Sequence, residues 1–405
     1  MYQLAISLYT LGVAVASLFN GKVRKMWRGE HAAFDVLRRR VEQGSRYAWF
    51  HAASLGEFEQ GRPIMERLRR EHPEYKILLT FFSPSGYEVR KDYEGADIVC
   101  YLPLDTYFNA RRFLRLVHPE VAFFIKYEFW WNYLHILKRR NVPTYSVSSI
   151  FRPGQVFFRW YGFRYRDVLK CFTKFFVQNE ASRLLLGQIG ITEVEVTGDT
   201  RFDRVLRVKE NARKLPIVDA FGRGYKVFVA GSSWPPDEDL FIRFFNEHTE
   251  WKLIIAPHVI SEEHLSQIKS KLKRKAILYT EATEAAAKSA DCLIINCFGL
   301  LSSIYGYGDV AYVGGGFGVG IHNVLEAAVW DIPVMFGPNH ERFQEANDLI
   351  AFKGAHEVEG YDAFSDRMLL YMHDPEARKD DGQRAGRYVA SRAGATERIL
   401  ASVKL

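Results

Sequence analysis

Short apolar runs bounded by turn residues recur along the chain, and between them lie stretches whose apolar positions repeat every three or four residues. The runs YAWFHAA, YKILLTFF, ADIVCYLP, EVAFFIK, VPTYSVSS and FFVQNE read as strands, and stretches such as Arg62–Arg70 and Asn109–Val117 read as amphipathic helices. The rhythm resumes after about residue 205 with YKVFVAGSSW, WKLIIAPH, KAILYT, DCLIINCFG, VAYVGGGFG and IPVMFG. This alternation predicts an α/β protein of two doubly wound Rossmann-like domains, joined near Val196–Val205 and facing each other across a cleft. Ligands of such sheets lie beyond the carboxyl ends of the strands, so the loops there are the candidate sites.

One segment breaks the rhythm. Tyr2–Phe19 is uncharged and mostly apolar for 18 residues, close to the lower limit of about 17 for a spanning helix. A secretory signal would place positive charge before the apolar run and a cleavage site after it, whereas here the basic Lys22–Arg28 follows. The positive-inside rule then keeps the bulk of the chain cytoplasmic, with Trp27 at interfacial depth. A spanning helix and a helix lying flat in the interface both fit, and either makes residues 1–30 a membrane-associated segment.

Charge sharpens that picture. The chain has 405 residues and a net charge of +7, and the basic excess lies wholly in residues 1–200, which hold 29 Lys and Arg against 20 Asp and Glu. A basic half beside an apolar anchor points to anionic inner-membrane lipid rather than nucleic acid. The cysteines Cys100, Cys171, Cys292 and Cys297 form no CxxC pair, which argues against a disulfide framework or a cysteine-rich zinc site. With the 12 histidines scattered and no HxxxH or HExxH spacing, no metal is expected.

Four loops carry residues able to do chemistry. After the strand Arg46–His51, Ser54–Leu55–Gly56–Glu57 fits a capping box ahead of a helix expected from Pro63 onward. A carboxylate at a strand's carboxyl end is also where a general base would sit, so Glu57 has two rival uses. In VAGSSWPPDEDL, Gly231, Ser232 and Ser233 offer N–H groups and hydroxyls to a phosphate, or simply cap the helix that Pro235 and Pro236 begin. In VGGGFGVGIHNVLEAA, Gly314, Gly315, Gly316, Gly318 and Gly320 would let the backbone approach an anion at the start of a helix near Asn323. Glu326 there would cap that helix or bind ribose hydroxyls. The run does not match GxGxxG. In FIKYEFWWNYL, Lys126 and Glu128 follow a strand amid Phe129, Trp130, Trp131 and Tyr133, rings that suit a core or an amphipathic entrance for lipid.

Taken in order, these elements resemble the bacterial 3-deoxy-D-manno-octulosonic acid (Kdo) transferases, lipid A glycosyltransferases of the GT-B fold. The resemblance runs from the N-terminal segment through HAASLGE, FFSPSGYE, LPLD, KYEFWWN, VTGDTRFD, AGSSW, APH and GGGFGVGIHNVLEAA to PVMFGPNHERFQEANDL. It implies inverting transfer of Kdo from CMP-Kdo to the lipid A precursor in lipopolysaccharide synthesis, at the cytoplasmic face of the inner membrane, without cofactor or metal. It implies an acceptor domain over residues 31–204 and a CMP-Kdo donor domain over 205–405, the last helix packing back on the first domain. The family's glutamate of the GE motif falls on Glu57 as general base. Acceptor binding falls on Ser54, Gly56, Ser85 and Glu128, and donor binding on Ser232, Ser233, His258, Gly315, Gly316, Asn323 and Glu326. The sequence departs from the family where Pro257 is followed directly by His258, where an arginine often intervenes, and at Ile321, Val324, Asp199 and Lys126. Other readings are a GT-B transferase with another nucleotide-sugar donor, or a non-catalytic protein that binds anionic lipid.

Overall fold

A computed structural model describes residues 2–405, which form two compact units. Unit 1 comprises residues up to Arg204 together with Ala393–Leu405, and unit 2 comprises Val205–Arg392.

Unit 1 is built on seven parallel strands: β1 (Arg46–Ala52), β2 (Tyr75–Phe81), β3 (Ile98–Tyr101), β4 (Pro119–Ile125), β5 (Thr144–Ser149), β6 (Lys174–Val177) and β7 (Val194–Val196). They pair in the order β3-β2-β1-β4-β5-β6-β7, a doubly wound sheet that reverses direction beside β1. Side chains alternate across β1. Tyr47 and Trp49 enter one core with Phe113 and Phe124, while Ala48, Phe50 and Ala52 enter the other with Phe58 and Phe123. Both faces are therefore covered, as parallel sheets require. The last helix, Ala395–Ser402, returns to this unit, where Asp203 accepts from the Gly394 and Thr396 N–H groups at its start.

Unit 2 repeats the plan with β8 (Lys226–Ser233), β9 (Trp251–Pro257), β10 (Ala276–Leu278), β11 (Cys292–Ile294), β12 (Val310–Val313), β13 (Val334–Phe336) and β14 (Ala355–Glu357), ordered β10-β11-β9-β8-β12-β13-β14. The short edge strands β7 and β14 have no counterpart among the predicted runs.

The N-terminal segment forms helix α1 (Tyr2–Phe19), followed after Asn20 by α2 (Gly21–Arg40), so the boundary expected at residue 30 falls inside α2. Among the described residues α1 is the one helix long and apolar enough to cross a membrane. It is nevertheless tied to unit 1. The Tyr2 hydroxyl donates to the buried Asp105, Gln3 bonds Asn132, Tyr2 stacks on Trp131, and Val13 packs with Met26 and Tyr101. The opposite side leaves Leu4, Leu8, Leu11, Val15 and Leu18 exposed at spacings of three and four, a single apolar stripe.

Candidate functional site

In unit 1 the chain leaves β1 and enters helix α3 (Leu55–Glu71) at once, earlier than the start expected near Pro63, and Pro63 lies inside it. Ser54 is the N-cap in an extended conformation, so Glu57 occupies the third helical position rather than a loop. The Ser54 N–H donates to Glu57 Oε2 at 2.9 Å, and Ser54 Oγ lies 3.3 Å from the same oxygen. Glu57 Oε1 accepts no hydrogen bond from the described residues. The capping box is thus present, and it uses one oxygen of two.

The surroundings of Glu57 are charged and partly dry. Burial pushes its carboxyl above the ordinary range, the Glu128 carboxylate adds to that, and His51, Lys126 and the Ser54 N–H pull the other way. Glu128 follows a sharp exit from β4 at which Lys126 adopts φ +67°, a left-handed conformation costing a non-glycine residue about 1 kcal/mol. Its Oε2 receives Trp130 Nε1–H at 2.6 Å and lies 3.0 Å from His51 Nε2. His51 is fully buried, with Nδ1 2.9 Å from Thr80 Oγ1, its register partner on β2, and Trp49 Nε1–H donates to the same hydroxyl at 2.8 Å. A ladder of buried polar groups across β1 and β2 thereby fixes Glu128. Sequence reading missed His51 and Thr80; a polar residue inside an otherwise apolar strand was the available signal.

The other acceptor candidates sit at the same edge. Gly56 is exposed, and a Cβ there would meet nothing nearer than Ser54 Oγ at 4.0 Å. The turn after β2 docks on Ser54: Ser83 N–H donates to Ala53 O at 2.7 Å, and a Cβ on Gly86 would lie 3.1 Å from the Ser54 carbonyl carbon. Ser85 is exposed in this turn, its hydroxyl 2.9 Å from that of Ser83. Ser54, Gly56, Glu57 and Ser85 are therefore neighbours, with Glu128 coupled to them by charge.

In unit 2 the donor candidates divide. His258 and Gly315 line one cavity of about 380 Å³ together with Trp234, Phe317, Val319 and His322. Trp234 stacks on His258 with ring centroids 4.7 Å apart, and His258 on His322 at 4.4 Å. Asn323 and Glu326 form a separate group, in which Asn323 Nδ2–H donates to Glu326 Oε1 at 3.2 Å and the Ser302 hydroxyl donates to Glu326 Oε2. The helix expected near Asn323 is a single turn, Leu325–Ala328. Ser232 is half-buried with φ +52°, and Ser233 is fully buried with its hydroxyl donating to Glu238 at 3.0 Å.

The glycines mainly let backbone approach backbone. A Cβ on Gly316 would sit 2.6 Å from Gly337, and one on Gly314 would sit 2.4 Å from Ser232 O. Asp237 closes the turn: its Oδ2 accepts from Trp234 N–H at 2.9 Å and Gly315 N–H at 3.0 Å, and its Oδ1 from the Tyr312 hydroxyl at 2.8 Å. Among the described residues no group of three or more His, Cys, Asp or Glu is placed to hold a metal.

Residues 29–204 match the family described as 3-deoxy-D-manno-octulosonic-acid transferase (kdotransferase). Over this stretch the chain is similar to the Kdo transferase family. It is similar to the 3-deoxy-D-manno-octulosonic acid transferase of Aquifex aeolicus, 27% identical over 80% of this chain and 86% of that one. It is likewise similar to the enzyme of the same name from Chlamydia trachomatis serovar D, 29% identical over 79% and 76%. Among solved structures, the UDP-GlcNAc 2-epimerase of Neisseria meningitidis superposes with a TM-score of 0.62 at 13% identity, covering 88% of this chain and 98% of that one. That likeness concerns the fold, two doubly wound units of the GT-B class. The relatives it resembles are named as transferases, and each unit of this chain carries a distinct cluster of polar groups at the carboxyl ends of its central strands.

Proposed function

We propose that the protein transfers Kdo from CMP-Kdo to a hydroxyl of the lipid A precursor, with inversion at the anomeric carbon and release of CMP. Glu57 is the general base. The observation that carries this reading is the divided use of its carboxylate: Oε2 is held by the Ser54 N–H while Oε1 is left for a substrate proton. Fixing one oxygen orients the other, and a carboxyl raised by burial and by Glu128 is a stronger base than an exposed one.

Unit 1 is the acceptor unit, with Ser54, Gly56 and Ser85 beside the acceptor hydroxyl and Glu128 as the charge that keeps Glu57 basic. Unit 2 is the donor unit. Glu326 and Asn323 bind the ribose of the nucleotide, while Gly315, Gly316 and His258, with the backbone of Ser232 and Ser233, surround the phosphate and sugar. The reaction draws on no metal or cofactor. Protein groups aimed at the leaving phosphate then carry its charge, a contribution of a few kcal/mol per donor in a water-poor site.

The protein works at the cytoplasmic face of the inner membrane. The exposed stripe of α1 supports an interfacial placement, since Tyr2 and Val13 hold the helix along unit 1 while the stripe faces outward. Incubation with CMP-Kdo and lipid A precursor tests the reading. It predicts CMP release and a lipid product heavier by one or more Kdo residues. CMP release with no mass gain, or neither, contradicts it, and transfer from a different sugar nucleotide in preference to CMP-Kdo assigns another donor.

A further inference from the structure

The cavity wall in unit 2 is short of positive charge. Its lining holds two imidazoles and the carboxylate of Asp237, with neither arginine nor lysine, although a sugar nucleotide is anionic. The two imidazoles differ. Trp234 Nε1–H donates to His322 Nε2 at 3.2 Å, so that nitrogen keeps its lone pair and the single proton of His322 sits on Nδ1. His258 is tied only through its backbone, its N–H donating to Ser233 O at 2.9 Å, and its ring nitrogens have no protein partner among the described residues. Its ring stacks against both the indole and the second imidazole, tilted 26° and 27° to them.

We propose that His258 takes up one proton from solvent as the anionic sugar nucleotide enters, so becoming the cavity's cation, while His322 stays neutral and donates its Nδ1–H to the same anion. This rests on unit 2 being the donor unit. Before binding, burial holds His258 below the ordinary histidine range, and burial with the neighbouring His258 pulls His322 down to about 4. The entering negative charge reverses the balance at the ring whose nitrogens are unengaged, and the indole face stabilises the resulting imidazolium. Two stacked imidazoliums repel each other, which limits the uptake to one.

The neighbouring charges are already committed or lie elsewhere. Asp237 is bonded to Trp234, Gly315 and Tyr312, and Glu238 to Ser233 and His264. The turn Asn339–Phe343 closes over Gly320; in it His340 is paired with Glu357, and the exposed Glu341 and Arg342 are not lining residues. Linkage then fixes the sign. Between the free and bound proton affinities of His258, binding weakens as pH rises, by up to about tenfold per unit.

The test is NMR of ring-labelled histidine in the full chain at pH 7.5, titrated with CMP. Saturation should move one histidine signal to the imidazolium position, and that signal should be missing from H258N and kept in H322N. In the wild type the KM for the donor should rise with pH above neutrality, whereas H258R, with a permanent charge, should show a flat KM. If CMP saturates the protein while every histidine signal stays neutral, or if the protonated ring is His322, the proposal is overturned and the donor unit stands. If CMP does not bind at all, the donor reading itself fails and the proposal with it.

Discussion

The turn after β1 in unit 1 and the turn after β8 in unit 2 share one construction. In each, a central parallel strand ends, a residue in extended conformation caps a helix, and the acid three positions later accepts the cap's own N–H, Glu57 from Ser54 and Asp237 from Trp234, both at 2.9 Å. Burial raises both carboxyls. They part in what else they touch. Asp237 is 1% exposed and spends both oxygens, on Trp234, Gly315 and Tyr312, whereas Glu57 is half-buried and leaves Oε1 unengaged beside the charge of Glu128. One local motif therefore serves as a brace in one unit, while in the other it leaves a carboxylate oxygen open for the proposed role of base. The cap alone does not separate the two uses; the count of satisfied oxygens does.

That contrast can be broken from either side. The largest effect on stability belongs to Asp237→Ala, which strands the Gly315 N–H and Tyr312 hydroxyl in a dry interior and should cost about 3 kcal/mol. Chemical denaturation monitored by circular dichroism reads it, and a loss no larger than that of a surface substitution would remove the distinction. Glu57→Ala should cost only about 1 kcal/mol, the worth of one cap at a half-exposed turn. A thermal melt checks whether the two losses stand in that order.

The electrostatic half of the contrast is tested by Glu128→Gln. As the proposed base Glu57 would act only when ionised, so activity should climb as pH rises through its pKa, and the Glu128 charge should place that climb at higher pH. Removing the charge should move the acidic limb of the kcat–pH profile to lower pH, and an unmoved limb, or one moved upward, would disconnect the two acids. The smallest effect is expected for Ser54→Ala. The bond that orients Glu57 comes from the Ser54 backbone, so stability should fall by about 0.5 kcal/mol and transfer should stay near the wild-type rate.

Both sheets were legible from periodicity because most of their strands, covered on two faces, are predominantly apolar runs; VEV and AHE, three residues each at a sheet edge, carry no such signal. The helix expected from Pro63 onward starts earlier, at Leu55, because the cap at Ser54 lies nine residues before that proline. Glu57 was legible as an acid with two possible uses. The partners that decide between them were not, since His51 meets Thr80 across a strand pairing and Glu128 across another, and Trp234 meets His322 88 residues away. The glycine run was read as room for a ligand, and much of that room is taken by Gly337 and Ser232.

The central claim is that Glu57 Oε1 accepts the acceptor's proton. Its most direct test is Glu57→Gln, which keeps the side chain's shape and an oxygen for the Ser54 N–H, assayed for Kdo transfer and for CMP binding on one preparation. The account predicts transfer reduced by roughly 10²–10⁴ with CMP affinity and melting temperature close to wild type. Transfer at a near wild-type rate would contradict it.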